Sequence, residues 1–540
     1  MSGHVFVVGA DLTRLSCDDV LVPTDRTLRV APGWCPLLPS EVVTGHVEDG
    51  AACVGLEWSG DERVLEVPGE GARRVWLVDT VEDGGVEGED SLPWLLDGAR
   101  EALAAVARRE VRRPAHGRAR RLVGLPALGT GWGGAAGRRG DLLRQLLPVL
   151  REAAGEHGFD VALVLRGPSD LAAAQRVRRG EDGGWDLPEN LREVAGQLGE
   201  RARRGQLAVF IGAGVSAAAG LPTWEQLVDE LAEASGLAGD LRDGLSRLPP
   251  QDSAALLARE LGRERLEAFV KDRFGPGSYA LAHALIADLP VQEFVTTNYD
   301  PLVEQAAADM GRRVRVLPFE EATPGSPWLL KLHGDAAHPE SVVLTREEYL
   351  QFGDTRAALA GVLHSLLLTR HVLFVGTSML DDDLIRIAHQ VRSALRLQGT
   401  ESSRRNGTVL ALREDLARAR LWERDVETVA MGPAGTEAAE AARRLEVLLD
   451  LIGCLATPPT GYLLDPAYRG LLDEEECALA DALQQMAGAV RQDAESMAAQ
   501  EVVALLRRLG HGGSAAHGDD RPQDGTSTRR DDRVQEQRPG

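Results

Sequence analysis

The chain has 540 residues, more than a single core needs, which sets an expectation of two or three domains. Its composition, 44% hydrophobic and 26% charged, excludes wholesale disorder. A net charge of −23 argues against non-specific binding to nucleic acid or to an anionic membrane surface.

Five cysteines (Cys17, Cys35, Cys53, Cys454 and Cys477) are odd in number and contain no C-x-x-C pair, which points to a reducing compartment and away from a disulfide framework or structural zinc. The start, Met1-Ser-Gly-His-Val5, lacks a basic segment followed by an apolar core, and the longest uncharged stretch, Gln206–Trp224, is broken by glycine and proline. A soluble, cytoplasmic protein with no membrane span is expected. Lysine occurs only at Lys271 and Lys331, against a large excess of arginine. Such a lysine can mark a site where arginine does not fit, or can simply be solvated.

Residues 1–175 read as one α/β unit. Apolar, β-branched runs predict strands at Val5–Val8, Asp19–Pro23, Val75–Val78, Leu122–Pro126 and Val161–Leu165. Apolar residues at three- and four-residue spacing predict helices over Leu95–Arg108 and Leu142–Glu156. The acidic, Gly-rich stretch Val81–Asp90 is expected to be a surface loop. Residues 176–189, polar and Gly-rich around Gly180–Gly184 and Pro188, read as a linker. A second α/β unit is expected over 190–457, a helical segment over 458–510 and a disordered tail over 511–540. Within the helical segment Leu479, Leu483, Met486, Val490 and Met497 form a stripe expected to pack on the body or on a partner.

The strongest local signal is Leu207–Trp224. An apolar strand runs into Gly212, Ala213 and Gly214, then Ser216, Gly220 and Pro222, before a helix predicted over Glu225–Glu233. Glycines after a strand let backbone approach a pyrophosphate, and the following helix N-terminus favours its charge. A tight βα turn in any α/β domain would read the same, and Gly220 falls too late for the dinucleotide fingerprint G-x-G-x-x-G. Three further segments end strands with polar residues. They are Thr297, Asn298 and Asp300 after Phe294, His333 after Trp328–Leu332, and Gly376, Thr377 and Ser378 after His371–Val375, with Asp381–Asp383 following. Ligands of open parallel sheets bind at the carboxyl ends of strands, so all four sets can meet in one cleft.

In this order Gly-Ala-Gly-x-Ser at 212–216, Thr-x-Asn-x-Asp at 296–300, Lys-x-His-Gly at 331–334 and Gly-Thr-Ser at 376–378 resemble the sirtuin-like superfamily, over roughly half the chain. The resemblance implies a Rossmann-like parallel-sheet domain that breaks the nicotinamide–ribose bond of NAD. It implies that His333 activates a ribose hydroxyl or water, that Asn298 positions water or ribose, and that Asp300 lies near the nicotinamide carboxamide. It implies further that Gly212, Ala213, Gly214, Ser216, Pro222, Thr297, Gly376, Thr377 and Ser378 bind NAD. Deacylating members carry a four-cysteine zinc module, whereas residues 334–375 hold no cysteine, and Pro222-Thr-Trp-Glu225 stands where they have Pro-Asp-Phe-Arg. The pattern is similar to sirtuin-like NAD hydrolases of bacterial anti-phage defence, which implies a homo-oligomer using NAD as substrate, without zinc.

Other readings are open for single residues. His333 could be a satisfied core histidine, Asn298 an N-cap for the helix after Pro301, and Asp381–Asp383 a helix N-terminal charge cluster. His283, His364, His371 and His389 read as structural.

At the amino terminus, Val5–Thr13 followed by Asp19–Asp25, together with Leu125–Gly134, resembles a Macro domain, a three-layer α/β fold. The resemblance implies a second nucleotide site for ADP-ribose or a relative, with Asp11 at the adenine and Gly129, Thr130 and Gly131 at the diphosphate. The family's Asn-Ala-Ala-Asn stretch is replaced by Pro23-Thr-Asp25, which favours a sensor or regulatory module over an ADP-ribose hydrolase; a purely structural α/β domain is the other reading. The expectation for the chain is an NAD+ glycohydrolase. The alternatives are a non-catalytic NAD- or ADP-ribose-binding switch and an ADP-ribosyl or deacyl transferase.

Overall fold

The computed structural model describes residues 2–47, 50–69, 71, 73–81, 91–109, 113–131, 134–180, 184–377, 385–387, 389–392, 405–489 and 496–512. The expected loop beyond Val81, Ser378, Asp381–Asp383, Val490 and the tail from residue 513 lie outside the described residues.

Two open sheets carry the fold. The first holds β1 (Val5–Gly9), β2 (Asp19–Thr24), β3 (Val64–Val67), β4 (Arg74–Asp79), β5 (Leu122–Pro126) and β6 (Asp160–Leu165) in the order β1-β6-β5-β2-β4-β3. Every neighbouring pair is parallel except β3 with β4. Strands covered on both faces need continuous apolar runs, which is what Val5–Val8 and Val161–Leu165 provide. Helices α1 (Leu92–Arg108) and α2 (Arg139–His157) share a buried cluster with β1, β5 and β6. A small three-stranded sheet of Arg29–Val30, Val43–His46 and Ala52–Val54 lies beside it.

The segment that composition marks as a linker is partly helical. Helix α3 (Pro168–Gly180) runs into it, and both Arg178 and Leu187 are buried. Its polarity is misleading because Arg178 is paired with an acid elsewhere in the chain rather than solvated.

The second sheet follows α4 (Glu189–Arg203). It consists of β7 (Leu207–Ile211), β8 (Glu293–Thr296), β9 (Arg315–Leu317), β10 (Trp328–Lys331), β11 (His371–Val375), β12 (Gly407–Ala411) and β13 (Val426–Ala430). All are parallel, in the order β9-β10-β8-β7-β11-β12-β13. The chain leaves β7 to build one side of the sheet and returns to build the other. That reversal opens a crevice at the carboxyl end of β7.

Short α5 (Ala213–Ala217) and α6 (Trp224–Ser235) follow β7, the latter started by a Thr223/Gln226 capping box. Helices at Asp240–Leu245, Pro250–Leu261 and Arg263–Arg273 complete a lobe with its own core, which Tyr299 joins. Then come α7 (Leu281–Asp288), α8 (Leu302–Asp309) and, after β13, α9 (Ala438–Ala456). One apolar cluster joins Phe6 and Val8 of β1 to Val209 of β7 through Leu198, Leu285 and Ile452, so α4, α7 and α9 fill the layer that both sheets share.

At the carboxyl end, α10 (Glu474–Ala489) and α11 (Met497–Arg508) use Ala480, Leu483, Ala487 and Leu506 to cover Leu463 and Leu464. The expected stripe is therefore displaced on the helix: Leu483 packs, while Leu479, Met486 and Met497 are exposed. Small alanines at 480 and 487 make the closer seam. Among the described residues no helix is long and apolar enough to cross a membrane.

Candidate functional site

Two glycine turns meet where the strand order reverses. The Gly212 amide donates to the Val375 carbonyl at 2.9 Å, and the Gly214 amide to the Gly376 carbonyl at 2.9 Å. A Cβ on Gly212 would come within 2.5 Å of the Gly376 oxygen; Gly376 itself has φ +69°, with the Val215 amide 2.7 Å from its Cβ position. Side chains are excluded from both turns, so backbone can face a ligand directly. A cavity of about 720 Å³ opens here at the ends of β7, β11 and β12, with Gly214, Gly376, Thr377, Arg413, Glu414 and Trp422 in its wall. Ala213 and Gly214, at the amide end of α5, are exposed.

Behind these turns lies a closed polar network. Asn298 Nδ2 donates to the Gly212 carbonyl at 3.2 Å and to Ser216 Oγ at 2.9 Å, and Ser216 Oγ donates to Asp300 Oδ2 at 2.8 Å. His283 Nε2 is 3.3 Å from Ser216 Oγ, and its Nδ1 accepts the Ala280 amide at 3.2 Å. The ring is fully buried, and that burial pulls its pKa down to about 4 despite the nearby Asp300 charge. The Asn298 amide nitrogen of the backbone is held by Thr296 Oγ1, which in turn donates to the Ile211 carbonyl. Asp300 Oδ1, not Asn298, accepts the Leu302 amide at the start of α8.

On the neighbouring strand, Lys331 pairs in register with Thr296, and His333 stands two residues beyond it as Asn298 stands two beyond Thr296. Adjacent strands are about 4.8 Å apart, so this register brings the two motifs to one edge of the cleft. His333 is buried, its ring meets the Tyr349 ring edge-on at 5.2 Å, and its carbonyl accepts the Val343 amide. Gly334 follows at φ +96°, where a Cβ would come within 2.4 Å of the Ser341 carbonyl.

Lys331 is not solvated: its exposure is 0%. Its Nζ lies 2.8 Å from carboxylates of both Glu304 and Asp335 and donates to the carbonyls of Asp300 (2.9 Å) and Tyr299 (3.3 Å). Burial opposes its charge, but Glu304 and Asp335 outweigh it and raise its pKa. The ammonium thus ties the Asn298–Asp300 turn to β10.

Of the residues singled out from sequence, Gly212, Ser216, Asn298 and Asp300 come into direct contact, and Gly214, Gly376 and Thr377 share the cavity wall. Thr297 is half-buried beside Asn298, and Pro222 is buried in the loop before α6. Asp11 follows β1 and Gly129, Thr130 and Gly131 follow β5, and among the described residues none of them bonds to this network. Asp11 Oδ1 accepts from Arg166 and from Thr13, and Thr130 donates to the Ala127 carbonyl. From sequence His283 reads as structural, because it sits in the apolar run Leu281–Ile286 with nothing to mark it as polar machinery; Glu304 and Tyr349 are not singled out at all.

Residues 292–431 match the SIR2-like domain family. Similar proteins include the NAD(+) hydrolase ThsA of Cytobacillus dafuensis, 30% identical over 198 residues (36% of this chain, 39% of that protein). Another is the NAD(+) hydrolase ThsA of Enterococcus faecium, 31% identical over 209 residues (37% and 43%). Defense-associated sirtuin 2 of Bacillus subtilis is 28% identical over 217 residues (38% and 21%). The chain spans less than half the length of these curated relatives. Over residues 292–431 the chain is thus similar to the SIR2-like domain family, and it is similar as well to bacterial NAD(+) hydrolases and a defence-associated sirtuin.

Proposed function

We propose that the chain is an NAD+ glycohydrolase that converts NAD+ and water to nicotinamide, ADP-ribose and a proton, as a regulated cytoplasmic effector of bacterial anti-phage defence. One observation carries this reading. Asn298 and His333 stand at equivalent positions beyond paired strands, and Asn298 bonds to the Gly212 carbonyl in one of the two glycine turns that wall the cavity. The names of the similar proteins support it.

In this reading the cavity at β11 and β12 takes the adenosine side, and the exposed Ala213 backbone of the glycine turn meets the diphosphate. Cleavage of the nicotinamide–ribose bond builds positive charge on the ribose while neutral nicotinamide departs. A neutral imidazole at His333 accepts a proton from a ribose hydroxyl or from the attacking water. Asn298 Oδ1, buried and without a hydrogen-bond partner among the described residues, is the acceptor that orients it. Ser216 already has protein partners for its hydroxyl, so in this scheme it organises the site rather than touching phosphate.

Nicotinamide release from NAD by the purified chain tests the reading. His333→Ala and Asn298→Ala are each expected to lower kcat by about 10²-fold or more. Cleavage that survives both substitutions removes these residues from the reaction.

For residues 1–175 the reading is a Macro-like regulatory module whose nucleotide would meet Asp11, Gly129, Thr130 and Gly131. In its support, the Asp11 amide donates to Tyr279 Oη of the second unit at 2.8 Å, so a ligand at Asp11 would press on the catalytic half.

A further inference from the structure

We propose that His283 is a positioning residue for this reaction: as its Nε2–H tautomer it braces Ser216, and through Ser216 it keeps Asn298 with Oδ1 turned into the site. The proposal rests on the glycohydrolase reading above and adds to it the group that sets the orientation of Asn298.

The proton arrangement follows from which groups can only donate and which can only accept. The Ala280 amide can only donate, so the His283 Nδ1 facing it at 3.2 Å is unprotonated. The neutral ring then carries its hydrogen on Nε2 and donates to Ser216 Oγ. The Gly212 carbonyl can only accept, so the Asn298 group facing it is Nδ2, which also donates to Ser216 Oγ. Ser216 Oγ has thereby filled both lone pairs, and its own hydrogen goes to Asp300 Oδ2. Every polar atom of the network is matched except Asn298 Oδ1. That oxygen is the acceptor left over for a donor that arrives with the substrate, a water or a ribose hydroxyl.

His283 is the member that makes the arrangement single-valued. It sits near the start of α7, fully buried, with its ring fixed by the backbone of its own helix turn. Without an Nε2–H donor, Ser216 Oγ loses one of the two hydrogen bonds it accepts. Its hydrogen is then free to leave Asp300, and Asn298 loses a defined partner on its Nδ2 side.

The test uses the full chain. Nicotinamide release would be measured for wild type, His283→Leu, His283→Gln, Ser216→Ala and the His283→Leu/Ser216→Ala double variant, each checked for folding by thermal unfolding. His283→Leu is expected to lower kcat by about 10-fold or more with KM for NAD little changed, because the defect lies in orientation rather than affinity. Glutamine can place an amide N–H near the Nε2 position, so His283→Gln should recover most of that loss. Ser216→Ala should match His283→Leu, and the double variant should lose no more than either alone, as two members of one brace do.

Losses that multiply in the double variant, or a folded His283→Gln as impaired as His283→Leu, would overturn the proposal. A readout independent of turnover is ¹⁵N NMR of histidine-labelled protein, in which His283 should show the Nε2–H tautomer. An Nδ1–H signal overturns the brace even if NAD is cleaved. A wild-type protein that shows the Nε2–H tautomer yet cleaves no NAD overturns the glycohydrolase reading and, with it, the catalytic role of the brace.

Discussion

A neutral histidine locked between a backbone amide and a hydroxyl makes the molecule sensitive to acid. Protonating His283 would put an N–H against the Ala280 N–H and bury an added charge. Burial depresses its pKa from 6.5 to about 4, so between those values the unfolded chain binds a proton here that the folded chain does not. Its contribution is complete above pH 6.5 and declines as pH falls towards 4, by roughly 3 kcal/mol in all. Urea unfolding of wild type and His283→Gln across pH 4–7 measures this. The gap between the two curves should narrow with acid; curves that stay parallel would refute it. At this scale the sequence singled out Asn298 and His333 as candidates, because both are polar residues placed just past apolar strands. His283 read only as structural, because its neighbours Ala282, Ala284, Leu285 and Ile286 are all buried apolar residues. Lys331 was half legible: its rarity marked it, but its cage of Glu304, Asp335 and two carbonyls comes from three separate elements. A compact ammonium fits four converging oxygens as a planar guanidinium does not.

The elements show the same division. The strands of both sheets were readable where four to six apolar residues run together, since a strand covered on both faces needs no alternation. The small sheet, Val64–Val67, Arg315–Leu317, Gly407–Ala411 and Val426–Ala430 were not read, because very short strands, or ones that mix glycine and polar residues with the apolar ones, leave no clear run to detect. Helix α3 was hidden by its arginines, whose partners lie far away in sequence. The glycine turns were visible as glycines, but not the reason for them, which is that two adjacent loops press into each other. That contact yields a prediction. Gly376→Ala must hold φ near +69° and force its Cβ to within 2.7 Å of the Val215 amide, costing about 1–3 kcal/mol and separating the turns that face the cavity. Gly361→Ala, in an exposed helical position with nothing within 4 Å, should instead gain about 1 kcal/mol. Thermal unfolding and calorimetric NAD binding separate the two. A Gly376→Ala protein with wild-type stability and NAD affinity would show that the turns do not need their close approach.

At the scale of the whole molecule, dividing the chain at a linker misses how the parts are joined. Helix α9 follows the last strand of the second sheet, yet its charges pair with the first unit. Asp450 meets Arg178 at 2.6 Å and His4 at 2.8 Å, Arg443 meets Asp160 at 2.8 Å, and Glu446 meets Arg118 at 2.7 Å, all buried or nearly so. Beside them Tyr279 receives the Asp11 amide, exchanges backbone hydrogen bonds with Arg14 and Ser16, and immediately precedes the start of α7 that carries His283. The first unit thus grips the chain one helical turn from the polar network of the site. Because α9 belongs to a core shared by both sheets, the two units should lose structure in one transition rather than two. Asp450→Asn tests how much of that union is electrostatic. It keeps the shape but leaves Arg178 buried without its countercharge, and removing one partner of a buried pair costs about 3–5 kcal/mol. Urea unfolding followed by tryptophan fluorescence and by circular dichroism should show coincident curves in wild type and a midpoint shifted well down in the variant. A loss under about 1 kcal/mol would mean that the apolar layer alone holds the units together. Two separated transitions in wild type would mean that they fold independently, leaving a ligand on the first unit without a rigid path to the second.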